Sequence, residues 1–165
     1  MNRTFFLVLL FLTSPLWADQ PSPKIVIFLD DLFLVDTQYD YTGGDPQIDK
    51  GVWLRCGVGE KGEHDGVSHT PKGKFKVIYK AKDPIYVDVH GKLIAGPFKT
   101  DLGNVYGTRI IGLSYIRHGR HLCIHGTNEP ELIPGYVSHM CIRLRNEDVE
   151  WLYDRVQIGD EVDIR

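Results

Sequence analysis

Short apolar stretches recur along most of the chain, and turns rich in Gly, Pro and Asp separate them. Several stretches alternate apolar and polar residues or are rich in β-branched residues, as expected for strands that pack on one face. The predicted strands cover residues 24–29, 32–36, 52–58, 75–80, 109–116, 121–125 and 161–164. Residues 84–90 and 93–98 are predicted to form a hairpin.

One segment late in the chain has the periodicity of a helix instead. Val149, Leu152, Tyr153 and Val156 fall at positions i, i+3, i+4 and i+7, which places them on one helical face. Asn146 precedes them as the predicted N-cap, and the acidic residues after it suit the first turn of a helix. The sequence therefore predicts a mainly β fold, a β-sandwich or barrel, with one clear amphipathic helix near the C-terminus.

The start of the chain has a different pattern. A basic residue, Arg3, is followed by an apolar run from Phe5 to Leu12 and by a small residue at Ala18. This order predicts a secretory signal peptide at residues 1–18 and a single mature domain at 19–165. The run is shorter than the roughly 20 residues that a spanning helix needs, although an uncleaved membrane anchor is the alternative. We therefore expect export to the periplasm or cell envelope, with no stable membrane insertion after cleavage.

The composition is that of a folded domain without a basic surface. Of the 165 residues, 42% are hydrophobic and 25% are charged, and the net charge is −3 at pH 7. These values indicate a globular chain with a core of its own. They exclude the strongly positive field that is typical of nucleic-acid-binding domains, so no nucleic acid is expected as a partner.

Three cysteines occur in the chain, at Cys56, Cys123 and Cys141. Export would permit disulfides, but an odd count leaves at least one thiol free. If Cys141 is the reactive thiol, only Cys56 and Cys123 remain to pair. We favour two buried thiols at these positions over a bridge between them.

A cysteine with a histidine in reach is the minimum for thiol-based acyl transfer, because the imidazole can take the thiol proton. On an extended segment His139 and Cys141 would lie roughly 7 Å apart, too far for direct proton transfer. His125 ends a predicted strand, and a loop of twelve residues can bring Cys141 back beside it. We therefore predict His125 as the base and His139 as a neighbour that binds or polarises the substrate. A backbone carbonyl near Gly126 is the expected acceptor for the second ring nitrogen of His125.

The same kinds of side chain also bind metal ions. His121, Cys123, His125, His139 and Cys141 are all of the types that zinc accepts as ligands. The chain contains neither a CxxC nor an HExxH motif, so the spacing does not favour a metal site. The thiol chemistry itself requires no metal and no organic cofactor.

Five short motifs surround these residues: TPKGKF at 70–75, HGTN at 125–128, SHMCIRL at 138–144, NED at 146–148 and GDEV at 159–162. Together they resemble the catalytic domain of the L,D-transpeptidases (YkuD-type). That family has a His, a loop, then Ser/Thr-His-Gly-Cys, an aliphatic residue and Arg or Asn. The resemblance spans residues 24–165 and implies an L,D-transpeptidase-like β-sandwich or barrel.

The resemblance also implies a reaction on peptidoglycan. Cys141 would attack the carbonyl of the third residue, a diamino acid, of a tetrapeptide stem, and the terminal D-Ala would leave with a proton from His125. The acyl group would pass to an amine of another stem or of a wall-attached lipoprotein, to a D-amino acid, or to water. His139 and the backbone amides leading to Cys141 would form the oxyanion hole.

The predicted substrate and oxyanion residues are Gly126, Ser138, Met140 and Arg143. Arg143 suits a carboxylate of the stem because its guanidinium can form paired hydrogen bonds, although a solvent-facing or helix-capping charge is the alternative. Ser138 is expected to make a local structural hydrogen bond.

Met140 departs from the family pattern, which has Gly before the cysteine. Gly tolerates a positive φ, and a Met forced into that conformation would carry a strain of about 1–3 kcal/mol. The backbone amide that should donate to the oxyanion would then be misdirected. Three functions therefore stay open: an active transpeptidase, a catalytically impaired peptidoglycan-binding relative, and an L,D-carboxypeptidase that uses water.

Overall fold

The computed structural model describes residues 24–38, 51–63, 65–87, 93–95 and 103–165. The predicted signal peptide at 1–18 and the tip of the predicted hairpin lie outside these ranges. Within the described ranges, no helix is long and apolar enough to cross a membrane.

Twelve strands account for most of the regular structure of the described residues. They are β1 (Ile25–Phe28), β2 (Phe33–Asp36), β3 (Val52–Arg55), β4 (Gly57–Gly59), β5 (Gly73–Lys82), β6 (Tyr86–Val87), β7 (Leu93–Ala95), β8 (Arg109–Arg117), β9 (Arg120–His125), β10 (Gly135–Ser138), β11 (Ile142–Arg143) and β12 (Glu161–Ile164). Ten of them form one sheet in the order β10-β4-β11-β9-β8-β5-β12-β1-β2-β3, and β6 pairs with β7. The mainly β prediction is confirmed.

The large sheet curls back on itself. β3 lies at one end of the strand order and β4 lies next to the other end, yet only Cys56 separates them along the chain. Two such distant positions can meet within one residue only if the sheet closes towards a barrel. The single strand predicted at 52–58 is therefore wrong, because the chain must leave one edge at Cys56 and join the other.

The other strand predictions hold, and β5 extends further than expected. β1, β2, β8, β9 and β12 agree with their predicted ranges to within one residue at each end. β5 is longer than the predicted 75–80 because its first part pairs antiparallel with β12 and its second part with β8. The predicted hairpin is confirmed by the antiparallel pairing of β6 with β7.

The helix α1 (Asn146–Arg155) confirms the predicted helix but not its cap. Arg145 occupies the N-cap position and makes no side-chain capping hydrogen bond. Asn146 lies in the first turn, where its amide accepts a hydrogen bond from the Thr127 N–H (3.1 Å) and donates one to the Thr127 carbonyl (3.0 Å). The capping prediction is wrong because the fold brings a loop close enough to bind the amide of Asn146.

The two faces of β9 separate the hydrophobic core from the chemistry. Leu122 and Ile124 are fully buried in one hydrophobic cluster with Val149 of α1. The alternate positions, which include Cys123 and His125, point to the opposite face of the strand, where a cleft opens beside His125. The core thus fixes the strand that carries the predicted base.

Candidate active site

Strand pairing brings Cys141 back beside His125. β11 begins one residue after Cys141 and pairs parallel with β9, so that Arg143 lies opposite His125 and Ile142 lies opposite Ile124. The pKa of the Cys141 thiol is lowered in part by the hydrogen bonding and the charge of the His125 side chain, which lies on the paired strand. The loop between the two strands therefore places the predicted nucleophile against the predicted base.

His125 is held by its own backbone neighbour. Its Nδ1 lies 2.6 Å from the Gly126 carbonyl oxygen, and the side chain is only 4% exposed. A carbonyl can only accept, so Nδ1 carries a proton and donates it, and Nε2 is the nitrogen left for the thiol. The edge of the Tyr106 ring meets the imidazole at 5.0 Å between centroids and 88°, which further fixes the ring.

The surroundings of Cys141 stabilise its thiolate. A hydrogen bond from the Cys123 thiol and then the hydrogen bond and charge of His125 hold the pKa of Cys141 well below its usual range, against the opposing effect of burial. Hydrogen bonds to the charged form of a group and a nearby opposite charge both favour ionisation. The site can therefore present a thiolate, the form of cysteine that attacks carbonyl carbons.

The turn before Cys141 is neither an extended segment nor a turn with a strained Met140, the two conformations considered from the sequence. Residues His139 and Met140 form a bend instead of an extended segment, and the Ser138 hydroxyl closes this bend by donating to the Cys141 carbonyl at 2.6 Å. Met140 does not adopt a positive φ, which among described non-glycine residues occurs only at three other positions. The strain considered for Met140 is therefore not present, and Ser138 makes a local structural bond.

Met140 instead packs into the fold and is anchored by Thr70. Its side chain is 7% exposed and belongs to the hydrophobic core. The buried Thr70 hydroxyl donates to the Met140 carbonyl at 2.8 Å and accepts from the Gly59 N–H at 2.7 Å. Because C=O and N–H point in opposite directions in a trans peptide, this bond turns the Cys141 N–H away from Thr70. Thr70 begins the TPKGKF motif, which thus contacts the turn before the cysteine.

Arg143 and His139 lie at the rim of the cleft. Arg143 forms an ion pair with Glu129 (Nη1 to Oε2, 3.2 Å), with a side chain that is 20% exposed. It is therefore neither a free solvent-facing charge nor a helix cap. His139 is exposed and, with Arg143, lines a cleft of about 290 Å³ that also contains Cys141 and His125.

The two cysteines other than Cys141 are free thiols. Cys56 and Cys123 are both buried and unpaired, as favoured from the sequence. In the part of the chain that the structure describes, no three His, Cys, Asp or Glu side chains converge so as to hold a metal ion. The five candidate ligands of the metal hypothesis are therefore not gathered at one point.

Sequence reasoning did not place Tyr106, Thr70 or Cys123 in the site. Tyr106 follows a segment without a clear pattern, so nothing in the sequence indicated its contact with His125. Thr70 was visible only as part of a motif. Cys123 lies two residues before His125 and therefore on the same face of β9, but its position beside Cys141 depends on the register of β11, which the sequence does not show.

Known proteins with similar sequences are named as L,D-transpeptidases. The family model YkuD, the L,D-transpeptidase catalytic domain, matches residues 25–164. YqjB of Bacillus subtilis (strain 168), named as an L,D-transpeptidase, is 37% identical over 94 residues, which are 56% of this chain and 50% of YqjB. YbiS of Escherichia coli (strain K12), also so named, is 46% identical over 98 residues, which are 59% of this chain and 28% of YbiS. The matched region is thus half or less of each relative.

Solved structures share the fold. L,D-transpeptidase 3 from Mycobacterium tuberculosis, in complex with a faropenem-derived adduct, superposes with a TM-score of 0.54 at 20% identity, covering 87% of this chain and 60% of that one. At this identity the likeness shows the fold alone, and it agrees with the curled, mainly β architecture. Because the family model covers most of its length, the chain belongs to the L,D-transpeptidase catalytic-domain (YkuD) family.

Proposed function

We propose that this chain is an exported, cysteine-dependent L,D-transpeptidase that acts on the tetrapeptide stems of peptidoglycan. The observation that carries the proposal is the triad-like arrangement of Cys141, His125 and the Gly126 carbonyl. Strand pairing places Cys141 beside His125, which lowers the pKa of the thiol, and the Nδ1 of this imidazole is committed to a backbone oxygen. This is the arrangement of an activated nucleophile, a base and an orienting group.

In the first half of the reaction, the Cys141 thiolate attacks the carbonyl carbon of the third stem residue. The carbonyl electrons move to oxygen, and the tetrahedral intermediate collapses with cleavage of the bond to the terminal D-Ala. His125, which holds the thiol proton, passes it to the departing amine. A thioester on Cys141 and free D-Ala result.

In the second half, an acceptor replaces the sulfur. An amine attacks the thioester carbonyl, His125 takes the proton that the amine loses, and the Cys141 thiolate leaves. The acceptor is an amine of another stem, of a wall-attached lipoprotein or of a D-amino acid. If water takes this place, the product is a trimmed stem, which is the L,D-carboxypeptidase alternative.

The turn before Cys141 provides the groups for the developing oxyanion. The Cys141 N–H belongs to the peptide that Thr70 anchors through the Met140 carbonyl, so its direction is fixed before substrate binds. Preorganised donors of this kind are commonly worth about 10²–10³ in rate. His139, exposed at the cleft, is the side chain that we assign to polarise the carbonyl, and Arg143 is assigned to a stem carboxylate.

The absence of a positive φ at Met140 bears on the impaired alternative. That alternative was motivated by strain at the position before the cysteine, and the backbone there is not in the left-handed region. We therefore retain the active enzyme as the proposal.

Acylation by a carbapenem tests the nucleophile directly. The thiolate would open the β-lactam ring and add the whole molecule to Cys141, as a faropenem-derived adduct occurs in a relative of the same fold. We expect intact-mass analysis to show one adduct on the wild type and on Cys56→Ala, and none on Cys141→Ala. Folded wild-type protein that acquires no adduct would contradict the proposal.

Incubation with a disaccharide-tetrapeptide identifies the reaction class. Release of D-Ala with cross-linked dimers supports transpeptidation, and incorporation of an added D-amino acid supports exchange. Release of D-Ala with only trimmed stems identifies the carboxypeptidase. Binding without turnover identifies the impaired relative.

A further inference from the structure

Four positions form a row across neighbouring strands beside the nucleophile. Tyr79 of β5 lies opposite Gly112 of β8, and Gly112 lies opposite Cys123 of β9. The register of β11 with β9 continues the row to Cys141. Adjacent strands are about 4.8 Å apart, and side chains at paired positions share one face of the sheet. The row therefore joins a tyrosine and two thiols on one surface.

Gly112 allows the tyrosine to cross the gap. A Cβ atom at Gly112 would lie 1.9 Å from Cε1 of the Tyr79 ring, so the ring occupies the space that any other residue would fill. The Tyr79 hydroxyl reaches across to the Cys123 sulfur at 3.2 Å. The His121 ring meets the Tyr79 ring edge-on, with 5.7 Å between centroids. Tyr79 is thus held in contact with Cys123.

The Cys123 thiol has one proton and two acceptors in reach. One acceptor is the His121 carbonyl, at 3.4 Å from the Cys123 sulfur. The other is the sulfur of Cys141, because extending the register of β11 with β9 by one residue places Cys141 opposite Cys123. A hydrogen bond to a charged acceptor is about twice as strong as one to a neutral acceptor. When Cys141 is ionised, the Cys123 S–H therefore donates its hydrogen bond to this thiolate instead of to the His121 carbonyl. The Tyr79 hydroxyl then donates to the Cys123 sulfur.

We propose that Cys123 is a second catalytic thiol, which donates a hydrogen bond to the thiolate of Cys141, and that Tyr79 is the positioning residue for this donor. The proposal rests on the proposed function, in which Cys141 is the nucleophile. It gives Cys141 a second partner from β9, two residues before His125. It involves no transfer of the Cys123 proton.

The electrostatics of the two thiols agree with these roles. The hydrogen bond from Cys123 is the largest cause of the lowered pKa of Cys141. The same hydrogen bond, together with burial, raises the pKa of Cys123, which therefore stays protonated and able to donate. The two neighbouring thiols thus divide into one donor and one nucleophile.

The pH dependence of Cys141 alkylation by iodoacetamide tests the donor without relying on any transpeptidase activity. The rate at Cys141, followed by peptide mass mapping, gives a midpoint where the thiol ionises. We expect Cys123→Ala to move this midpoint upward by about 1 pH unit, because one charge-assisted hydrogen bond to the thiolate is lost. Cys123→Ser keeps an O–H donor and should move it less.

Two further variants separate donation from packing. Tyr79→Phe keeps the ring and removes the hydroxyl, so the midpoint should move in the same direction by a smaller amount. Cys56→Ala removes a buried thiol that belongs to the hydrophobic core and not to the row, so it should leave the midpoint unchanged. Tyr106, Arg120, His121, His139 and Arg143 also line the cleft. They are identical in all variants, so they do not account for differences between the variants. Thermal unfolding of each variant confirms that it is folded.

The outcomes distinguish this proposal from the proposed function. An unchanged midpoint in folded Cys123→Ala, or equal movement in Cys123→Ala and Cys123→Ser, overturns the role of Cys123 as donor even if carbapenem acylation is intact. If Cys123→Ala does not fold, an unchanged midpoint in Tyr79→Phe overturns it. If the wild-type protein acquires no carbapenem adduct but its alkylation midpoint is low, only the transpeptidase function is overturned.

Discussion

Cys56 and Cys141 are both thiols beside the large sheet, but their surroundings give them opposite chemistry. Cys56, at the junction of β3 and β4, is fully buried, and burial raises the pKa of its thiol to about 12. Cys141 is partly buried and has hydrogen-bonding partners in Cys123 and His125, which lower its pKa. Burial without donors makes a thiol inert, whereas burial with donors makes it reactive.

The difference originates in which face of the sheet each thiol meets. Cys56 belongs to the hydrophobic cluster that includes Val58 and Leu54. Cys141 borders the face of β9 that carries His125 and Cys123. The same curled sheet therefore provides an apolar site for one thiol and a polar site for the other. Five measurements test how far this contrast extends, from the largest expected effect to the smallest.

Removing each thiol in turn gives the largest contrast. Cys141→Ala should abolish carbapenem acylation and turnover, because no other described group replaces the nucleophile. Cys56→Ala should acylate at the wild-type rate and lose only about 1 kcal/mol of stability, as small core truncations do. Acylation rates and thermal unfolding measure the two effects. If Cys141→Ala is still acylated by the carbapenem, another residue is the nucleophile.

Replacing His125 should have the next largest effect on the rate of acylation at Cys141. His125→Asn removes the proton acceptor and the positive charge, so the rate of acylation should fall about 10²–10⁴-fold. His118→Asn is the matched control, since His118 has a positive φ that Asn tolerates and lies in an exposed turn outside the proposed machinery. Equal rates in the two variants would remove His125 from the mechanism.

Alkylation at different pH values compares the two thiols in one sample. In folded protein near neutral pH, iodoacetamide should label Cys141 and spare Cys56. The rate at Cys141 should fall as the pH drops through its lowered pKa, because the thiolate is lost there. In denaturant the two should label alike, since both then have the pKa of an ordinary thiol, about 8.5. Equal labelling in the folded state would refute the contrast.

Thr70 offers a test of the turn before Cys141. Thr70→Val removes the hydroxyl and leaves the Met140 carbonyl and the Gly59 N–H without this partner. We expect a loss of about 1–3 kcal/mol for each unsatisfied group, and slower acylation because the peptide that carries the Cys141 N–H is released. Thr70→Ser keeps the hydroxyl and should retain both the stability and the acylation rate of the wild type. Unfolding in urea and carbapenem kinetics report the two effects, and full acylation by Thr70→Val would exclude this anchoring role.

Met140→Gly should have the smallest effect on the chemistry. Because Met140 is not strained, the substitution should not speed acylation. It should lower stability by about 2–5 kcal/mol, because a buried side chain is removed from the core. A tenfold or greater gain in acylation rate would instead show that the side chain hinders the enzyme.

Local patterns in the sequence predicted most of the strands, the helix and the pairing of His125 with Cys141. Alternation in β9 is a property of neighbouring residues, and so is the spacing of Val149 and Leu152 in α1. The acceptor for His125 was also predictable, because Gly126 is the next residue in the chain. These features follow from distances along the backbone that covalent geometry fixes.

Other features depend on segments that are far apart in sequence. The break at Cys56 arises from closure of the sheet, and Asn146 binds Thr127 because a loop passes by its helix. The φ of Met140 is set by the turn that Ser138 and Thr70 hold. None of these contacts leaves a periodic signal in the sequence. Sequence patterns therefore predicted the wrong N-cap residue for α1 and did not decide whether Met140 is strained.

The sequence by itself determined which residues are available for thiol chemistry and which of them share a strand face. Tertiary structure decided which thiol has neighbours that lower its pKa. Cys56, Cys123 and Cys141 are chemically identical along the chain, and only strand register and sheet curvature place donors around one of them and apolar side chains around another. The stability of a thiolate depends on neighbours within a few ångströms, and for Cys141 these neighbours, Cys123 and His125, come from β9, which pairs with β11.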